Sequence, residues 1–293
     1  MSWTRRYEDA EPQRINRWLA QSGVCSRREA EGLIAEGLVS IDGETVRDPG
    51  RKILKGQTLT LSDAAARRLG ESITVVINKP VGLVSAQPEP GQVPAARLLT
   101  RANLQGEGDD PPAADDRLAP LGRLDQDSRG LLVLSQDGVL AKAVIGPESR
   151  LDKEYLVRVS GEITEAALGL LRHGLQLDGR PLKPARVTPA GHQRLRFILT
   201  EGRNRQIRRM CDLVGLKVTD LYRIRIGPLR IADLKEGCWR PLQASERAAL
   251  IRDAGPPASP AATAGPAPSR AGTGGPRRTP ARGGARPGPR GRP

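Results

Sequence analysis

The sequence predicts an α+β protein: a small helix-and-hairpin domain, a larger mixed-sheet domain dominated by antiparallel pairing, and a disordered tail. Three observations carry this. Strand-like apolar runs occur at 57–62, 73–78, 129–136, 154–161 and 193–200. Helical patterns at 139–146, 165–174 and 204–215 fall between them without a regular strand–helix–strand repeat. The 293 residues suggest about two domains at ~150 residues each, and the composition changes abruptly after Asp253.

Taken along the chain, residues 1–13 read as a flexible N-terminus and 14–63 as the small domain. In it, Ile15, Trp18 and Leu19 recur at helical spacing up to Gly23. Ser26 and Glu29 have capping-box spacing, so each can satisfy the other's backbone N–H at the start of a second helix. Asp42-Gly43 supplies the two positive φ angles of a tight hairpin turn across 38–46, and 57–62 alternates like a strand. Residues 64–72 read as a linker, and 73–250 as the larger domain. Within it, 104–116 is an acidic, Pro/Gly-rich loop, expected to be a solvated insertion. Residues 254–293 hold 10 of the 25 prolines and 9 of the 33 glycines, with no Leu, Ile, Val or aromatic residue. Nothing there can offset the entropy of ordering, so the tail is expected to be disordered.

The net charge of +14 points to a polyanionic partner, most often nucleic acid. Seven arginines and no acid lie in the tail, so the body is basic as well. Aromatics at 2% argue against modules that stack bases on rows of rings. Cys25, Cys211 and Cys238 are far apart and make no zinc spacing with His173 or His192, so no metal is expected. Sparse cysteine, no signal-peptide h-region and no apolar run near the ~20 residues that span a bilayer point to a cytoplasmic protein with no membrane partner. The motifs G-x-S-x-G, G-x-x-x-x-G-K-[ST] and G-x-G-x-x-G are all missing from the sequence, which removes support for α/β-hydrolase, P-loop and dinucleotide chemistry. Catalysis is left to carboxylate, tyrosine and arginine.

Three segments carry candidates. In 121–138, Asp125 sits beside Arg123 in a loop that leads into a buried strand. It is either an ionised nucleophile or base, or a loop Asp that turns the chain. In 201–215, Ile207, Met210, Cys211 and Val214 form one helical face, with Arg203, Arg205, Arg208 and Arg209 around it. Cations at a helix start oppose its dipole, which favours phosphate contact, with one arginine turned inward to a carboxylate, over a merely solvated face. Tyr155 in KEYLVRV has packing as its ordinary reading. NKPVGLVS, 78–85, reads as a turn after a buried strand.

Together these stretches resemble the bacterial pseudouridine synthases of the RsuA/RluB/RluE/RluF family. Residues 14–63 are similar to an S4 RNA-binding domain (α-L-like). NKPVGLVS, PLGRLDQDSRGLLVLSQDG (120–138), KEYLVRV (153–159), EGRNRQIRRMCDLVG (201–215) and LYRIRIGPLRIADLKEGCWRPL (221–242) are similar to the pseudouridine synthase catalytic domain. Within that family, RQIRRMC is most similar to the RluF type, which acts on RNA of the large ribosomal particle. The resemblance implies that Asp125 is the catalytic aspartate, Tyr155 the active-site tyrosine and Arg208 the cation that pairs with Asp125. It implies that Arg123 assists extrusion of the target base and Ile207 packs in the uracil pocket. Arg203, Arg205 and Arg209, with Arg17, Arg27 and Arg28 of the S4 helices, would hold RNA phosphates. The implied reaction is an isomerisation without a cofactor, run by a monomer on 23S ribosomal RNA. The alternatives are 16S ribosomal RNA or tRNA as substrate, or a non-catalytic ribosome-assembly factor on the same fold.

Overall fold

The computed structural model describes residues 3–107, 110–113 and 116–255. The N-terminal domain packs two helices on a four-stranded antiparallel sheet. Helices Ile15–Gln21 and Arg27–Ala35 bury Ile15, Trp18, Leu19, Ala30, Leu33 and Ile34 in one core with Leu59 and Leu61 of the sheet. The capping box forms, with Glu29 N–H donating to Ser26 Oγ (3.2 Å) and Ser26 N–H to Glu29 Oε2 (2.6 Å). Asp42 (φ 49°) and Gly43 (φ 87°) close the hairpin of Val39–Ile41 and Glu44–Val46.

Two expectations about this half are corrected. Residues 1–13 are not loose throughout: Trp3–Arg6 pairs antiparallel with Thr58–Leu61. Tyr7 is buried against Trp18, ring centroids 5.3 Å apart. The strand Thr58–Leu61 would otherwise present a bare edge, and the aromatic residues before the helices cover it. The 64–72 linker is largely helical, Asp63–Gly70, because Ser62 caps it by accepting from Ala65 N–H and Ala65 is buried beneath it.

The larger domain is built on a nine-stranded sheet. Its main path runs Arg186–Pro189, Arg194–Leu199, Lys153–Ser160, Lys217–Ile226, Arg129–Ser135, Thr74–Lys79, Trp239–Pro241. All neighbours on it are antiparallel except one pair. Arg129 and Gly130 lie parallel to Tyr222 and Arg223 for those two residues only. This short junction joins two half-sheets, each with its own core. Helices Glu165–Arg172 and Gln206–Leu213 cover one half, around Phe197 and Leu195. Helices Gly138–Ile145 and Ala244–Asp253 pack beside the other, around Leu131, Val133 and Ile226. Asp137 caps the first of these by accepting from Val139 and Leu140 N–H. The 217–226 strand, central to the sheet, and the 244–253 helix have no counterpart in the sequence reading.

The two domains touch where Gly138 N–H donates to Glu29 Oε1 at 3.3 Å. The 104–116 loop is anchored at its start, since Gln105 N–H donates to the Trp239 carbonyl (2.9 Å). Ala254, assigned to the tail, belongs to the body: it is buried and its carbonyl accepts from Arg150 N–H. The rest of the disordered-tail expectation, from residue 256 on, lies outside the described residues. Among the described residues, no helix is long and apolar enough to cross a membrane.

Candidate active site

Where the half-sheets meet, an open cleft of about 1180 Å³ draws its walls from both. Asp125 enters it from the loop before Arg129–Ser135. Leu124 is buried with Trp239 and Leu132, which turns the next side chain, Asp125, to the cleft with 28% of it exposed. Tyr155 comes from the start of the neighbouring half-sheet. It is half-buried, stands opposite Phe197 and Arg223 in register, and packs against the cores on both sides of the junction. Ile207, in the first turn of the 206–213 helix, is buried and lines the same cleft. The structure thus brings Asp125, Tyr155 and Ile207 together with Arg123, Arg205 and Arg208.

The cation beside Asp125 is not the expected one. Arg205 Nη1 lies 3.5 Å from Asp125 Oδ2. Arg208 instead straps the helix to the loop: its Nη2 donates to the Asp127 carbonyl (2.8 Å) and Ser128 Oγ (3.3 Å), and its Nη1 to the Val218 carbonyl (3.4 Å). The physical reason is the helix start. Arg205 adopts a left-handed conformation (φ 47°) at the N-cap, which throws its side chain towards the aspartate loop. Arg208, a turn later, meets the backbone behind it.

Sequence reasoning misses Asp127, which holds this arrangement together. Its carboxylate accepts from Arg205 Nη2 at 2.9 Å and lies 3.2 Å from Arg208 Nη2. Burial pushes the Asp127 carboxyl up, but the hydrogen bond from Arg205 and the charges of Arg208 and Arg205 hold it below its ordinary value. The signal available in the sequence is the D-Q-D spacing of Asp125 and Asp127, together with two arginines three apart, Arg205 and Arg208, in a separate segment. Lys153 also lines the cleft, its ammonium pushed down to about 8 by burial and by the charge of Arg223.

The other expected phosphate contacts divide. Arg203 is committed to protein: its guanidinium donates to the carbonyls of Leu177, Arg180 and Pro181. Arg209 is paired with Asp178 in the open. Arg123 is exposed on the cleft, and Arg17, Arg27 and Arg28 are exposed on the N-terminal helices. Four arginines around one helix start are therefore not one basic face. Two tie down neighbouring loops, one pairs in solvent, and Arg205 faces the aspartate.

Comparison with known proteins agrees with this organisation. Residues 73–213 match the RNA pseudouridylate synthase family, and residues 13–59 match the S4 domain. The chain is 32% identical over 246 residues to an uncharacterized RNA pseudouridine synthase of Aquifex aeolicus, covering 83% of this chain and 95% of that one. It is 33% identical over 245 residues to the dual-specificity RNA pseudouridine synthase RluF of Escherichia coli K12, covering 82% and 78% respectively. A crystal structure of a pseudouridylate synthase superposes with a TM-score of 0.57 at 26% identity, covering 81% of this chain and 99% of that one.

Proposed function

The chain belongs to the RNA pseudouridine synthase family, with an S4 domain at its N-terminus, and from this isomerase chemistry we propose that it converts a specific uridine of 23S ribosomal RNA to pseudouridine, with Asp125 as the catalytic carboxylate. The observation that carries the reading is the meeting of Asp125, Tyr155 and Ile207 in one cleft at the sheet junction. The relatives named dual-specificity favour a second reading, in which more than one RNA is a substrate.

The reaction breaks the N1–C1′ bond, turns the uracil and forms a C5–C1′ bond. The C5 proton leaves and N1 gains one, so the product is an isomer and no cofactor is needed. Two routes use the same anion: attack of the Asp125 carboxylate on C1′, or removal of the C2′ proton. Arg205 Nη1 sets a positive charge 3.5 Å from the Asp125 carboxylate. Tyr155, at the edge of both cores, offers a ring face to the uracil, and its hydroxyl is available to the C5 proton. Ile207 provides the apolar wall. The target nucleotide must leave its stack, at a cost of a few kcal/mol, and the exposed Arg123 on the cleft rim suits the vacated space. The exposed arginines of the N-terminal helices suit phosphates, whose binding weakens with salt.

The test is Asp125→Asn, assayed by tritium release from ribosomal RNA labelled at uridine C5, beside an RNA-binding titration. Turnover is expected to fall below detection while binding and folding persist. Turnover within about tenfold of the unaltered protein would remove Asp125 from the chemistry. Mapping pseudouridines in RNA from cells lacking the protein identifies the target, and a lost site outside 23S RNA would displace the substrate assignment.

A further inference from the structure

We propose that Ser85 and Arg223 are positioning residues that clamp the backbone leading into Asp125, so that the carboxylate is aimed before RNA arrives. The proposal rests on the reading of Asp125 given above. The loop Gly122–Ser128 carries this carboxylate on an irregular backbone, and such a backbone holds a side chain to within a fraction of an ångström only when its own polar groups are fixed.

Ser85 fixes the residue immediately before Asp125. It is buried, and its hydroxyl donates to the Leu124 carbonyl (2.7 Å) while accepting from the Leu124 N–H (2.8 Å). One side chain thus satisfies both backbone groups of Leu124. The residue after Asp125 is held by the same segment: Gly82 N–H donates to the Gln126 carbonyl (2.8 Å), and Gln126 Nε2 returns to the Gly82 carbonyl (3.1 Å). Lys79 stiffens that segment from within, its buried Nζ donating to the carbonyls of Pro80 (2.9 Å) and Leu83 (2.7 Å). NKPVGLVS is in this light the mould of the aspartate loop rather than a plain turn.

Arg223 fixes the two residues before Leu124 and the strand that follows the loop. It is 1% exposed, and no carboxylate lies within ion-pair distance of it among the described residues. Its guanidinium is spent on carbonyls: Nη2 to Gly122 (3.0 Å), Nη1 to Arg123 (3.3 Å), Nε to Leu131 (2.8 Å). In register it stands beside Gly130 on one strand and Tyr155 on the other. One rigid fork therefore ties the aspartate loop to the strand that neighbours Tyr155. Burying a guanidinium with no carboxylate partner is expensive. A core serving only packing would put an apolar side chain at this position, whereas the planar fork alone reaches three carbonyls at once.

The experiment compares Ser85→Ala, Arg223→Lys and the double variant with the unaltered full chain. Tritium release at saturating ribosomal RNA gives kcat, its RNA dependence gives KM, and circular-dichroism melting fixes a temperature at which each protein is folded. A misplacement of about 1 Å costs about 100-fold in rate, so each single variant is expected to lose about 10- to 100-fold in kcat with KM within about threefold. The double variant is expected to lose less than the product of the two, because both residues hold one loop. A lowered melting temperature with kcat within threefold of the unaltered protein makes the two residues merely structural and overturns the proposal. Should Arg223→Lys not fold, Ser85→Ala decides alone. Asp125→Asn is run alongside. If it turns over, the reading of Asp125 falls. If it is inert while the clamp variants keep their kcat, only the clamp falls.

Discussion

Single side chains in this cleft do work that their types do not announce. Lys79 is buried directly behind the aspartate loop, and burial pushes its ammonium down to about 8 against the pull of Asp127 and Asp125. An unfolded lysine titrates near 10.4. The folded-state value is therefore the lower one. Below pH 8 both states carry the proton and the buried charge costs its full amount. Between about pH 8 and 10 the folded state releases a proton that the unfolded state keeps, so stability rises with pH. Urea unfolding of Lys79→Met beside the unaltered protein isolates this contribution, since the other titrating groups are common to both. The unaltered protein is expected to gain on the variant by on the order of 1–2 kcal/mol between pH 7 and 10. A constant difference across that range would place the Lys79 charge in solvent.

At the scale of elements, the decisive feature is the two-residue parallel junction, and Gly130 makes it possible. Its φ is +110°, and a Cβ there would run into the backbone N and O of Arg223 and the Tyr222 ring. Backbone on a neighbouring strand cannot swing aside as a side chain does. Gly130→Ala therefore combines strain at a disfavoured φ, about 1–3 kcal/mol, with overpacking of similar size. A loss of about 2–6 kcal/mol in urea unfolding is expected. The same change should lower kcat in whatever protein remains folded, because Gly130 adjoins both Arg223 and the aspartate loop. A loss under 1 kcal/mol would mean that the two half-sheets part easily at this joint. The 206–213 helix makes a related point. Its left-handed start at Arg205 decides which arginine faces Asp125, and no propensity within the helix could decide that.

At the scale of the whole molecule, the basic body divides between two jobs. Arg17, Arg27 and Arg28 are exposed on two adjoining helices of the S4 domain, away from the cleft. Replacing all three with Ala is expected to raise KM for ribosomal RNA about tenfold or more and to reduce the salt dependence of binding, with kcat changed less than about twofold. Steady-state kinetics at two salt concentrations checks this, and a collapse of kcat at unchanged KM would move the S4 helices into the catalytic step. The contact of Glu29 with Gly138 N–H joins the domains through the capping-box glutamate itself. A capping-box residue of an S4 helix thus also meets the Gly138–Ile145 helix that follows the Arg129–Ser135 strand.

The sequence by itself determined what local physics can determine. The capping box at Ser26, the Asp42-Gly43 turn, the Asp137 cap and the strand runs are choices made over a few residues, where backbone geometry and side-chain reach decide the outcome. The NKPVGLVS, GRLD, KEY and NRQIRRM stretches likewise carry the family resemblance and the candidate carboxylate. Only the tertiary structure decided pairings between residues far apart in the chain. Trp3–Arg6 found its place on an edge made fifty residues later. Arg205 rather than Arg208 reached Asp125, and Arg203 turned to the carbonyls of 177–181. Ser85 and Arg223 met the aspartate loop across 39 and about 100 residues. An arginine's charge is written in the sequence, but its partner is not: a long side chain has several acceptors within reach, and which one it meets depends on where folding brings the strands together.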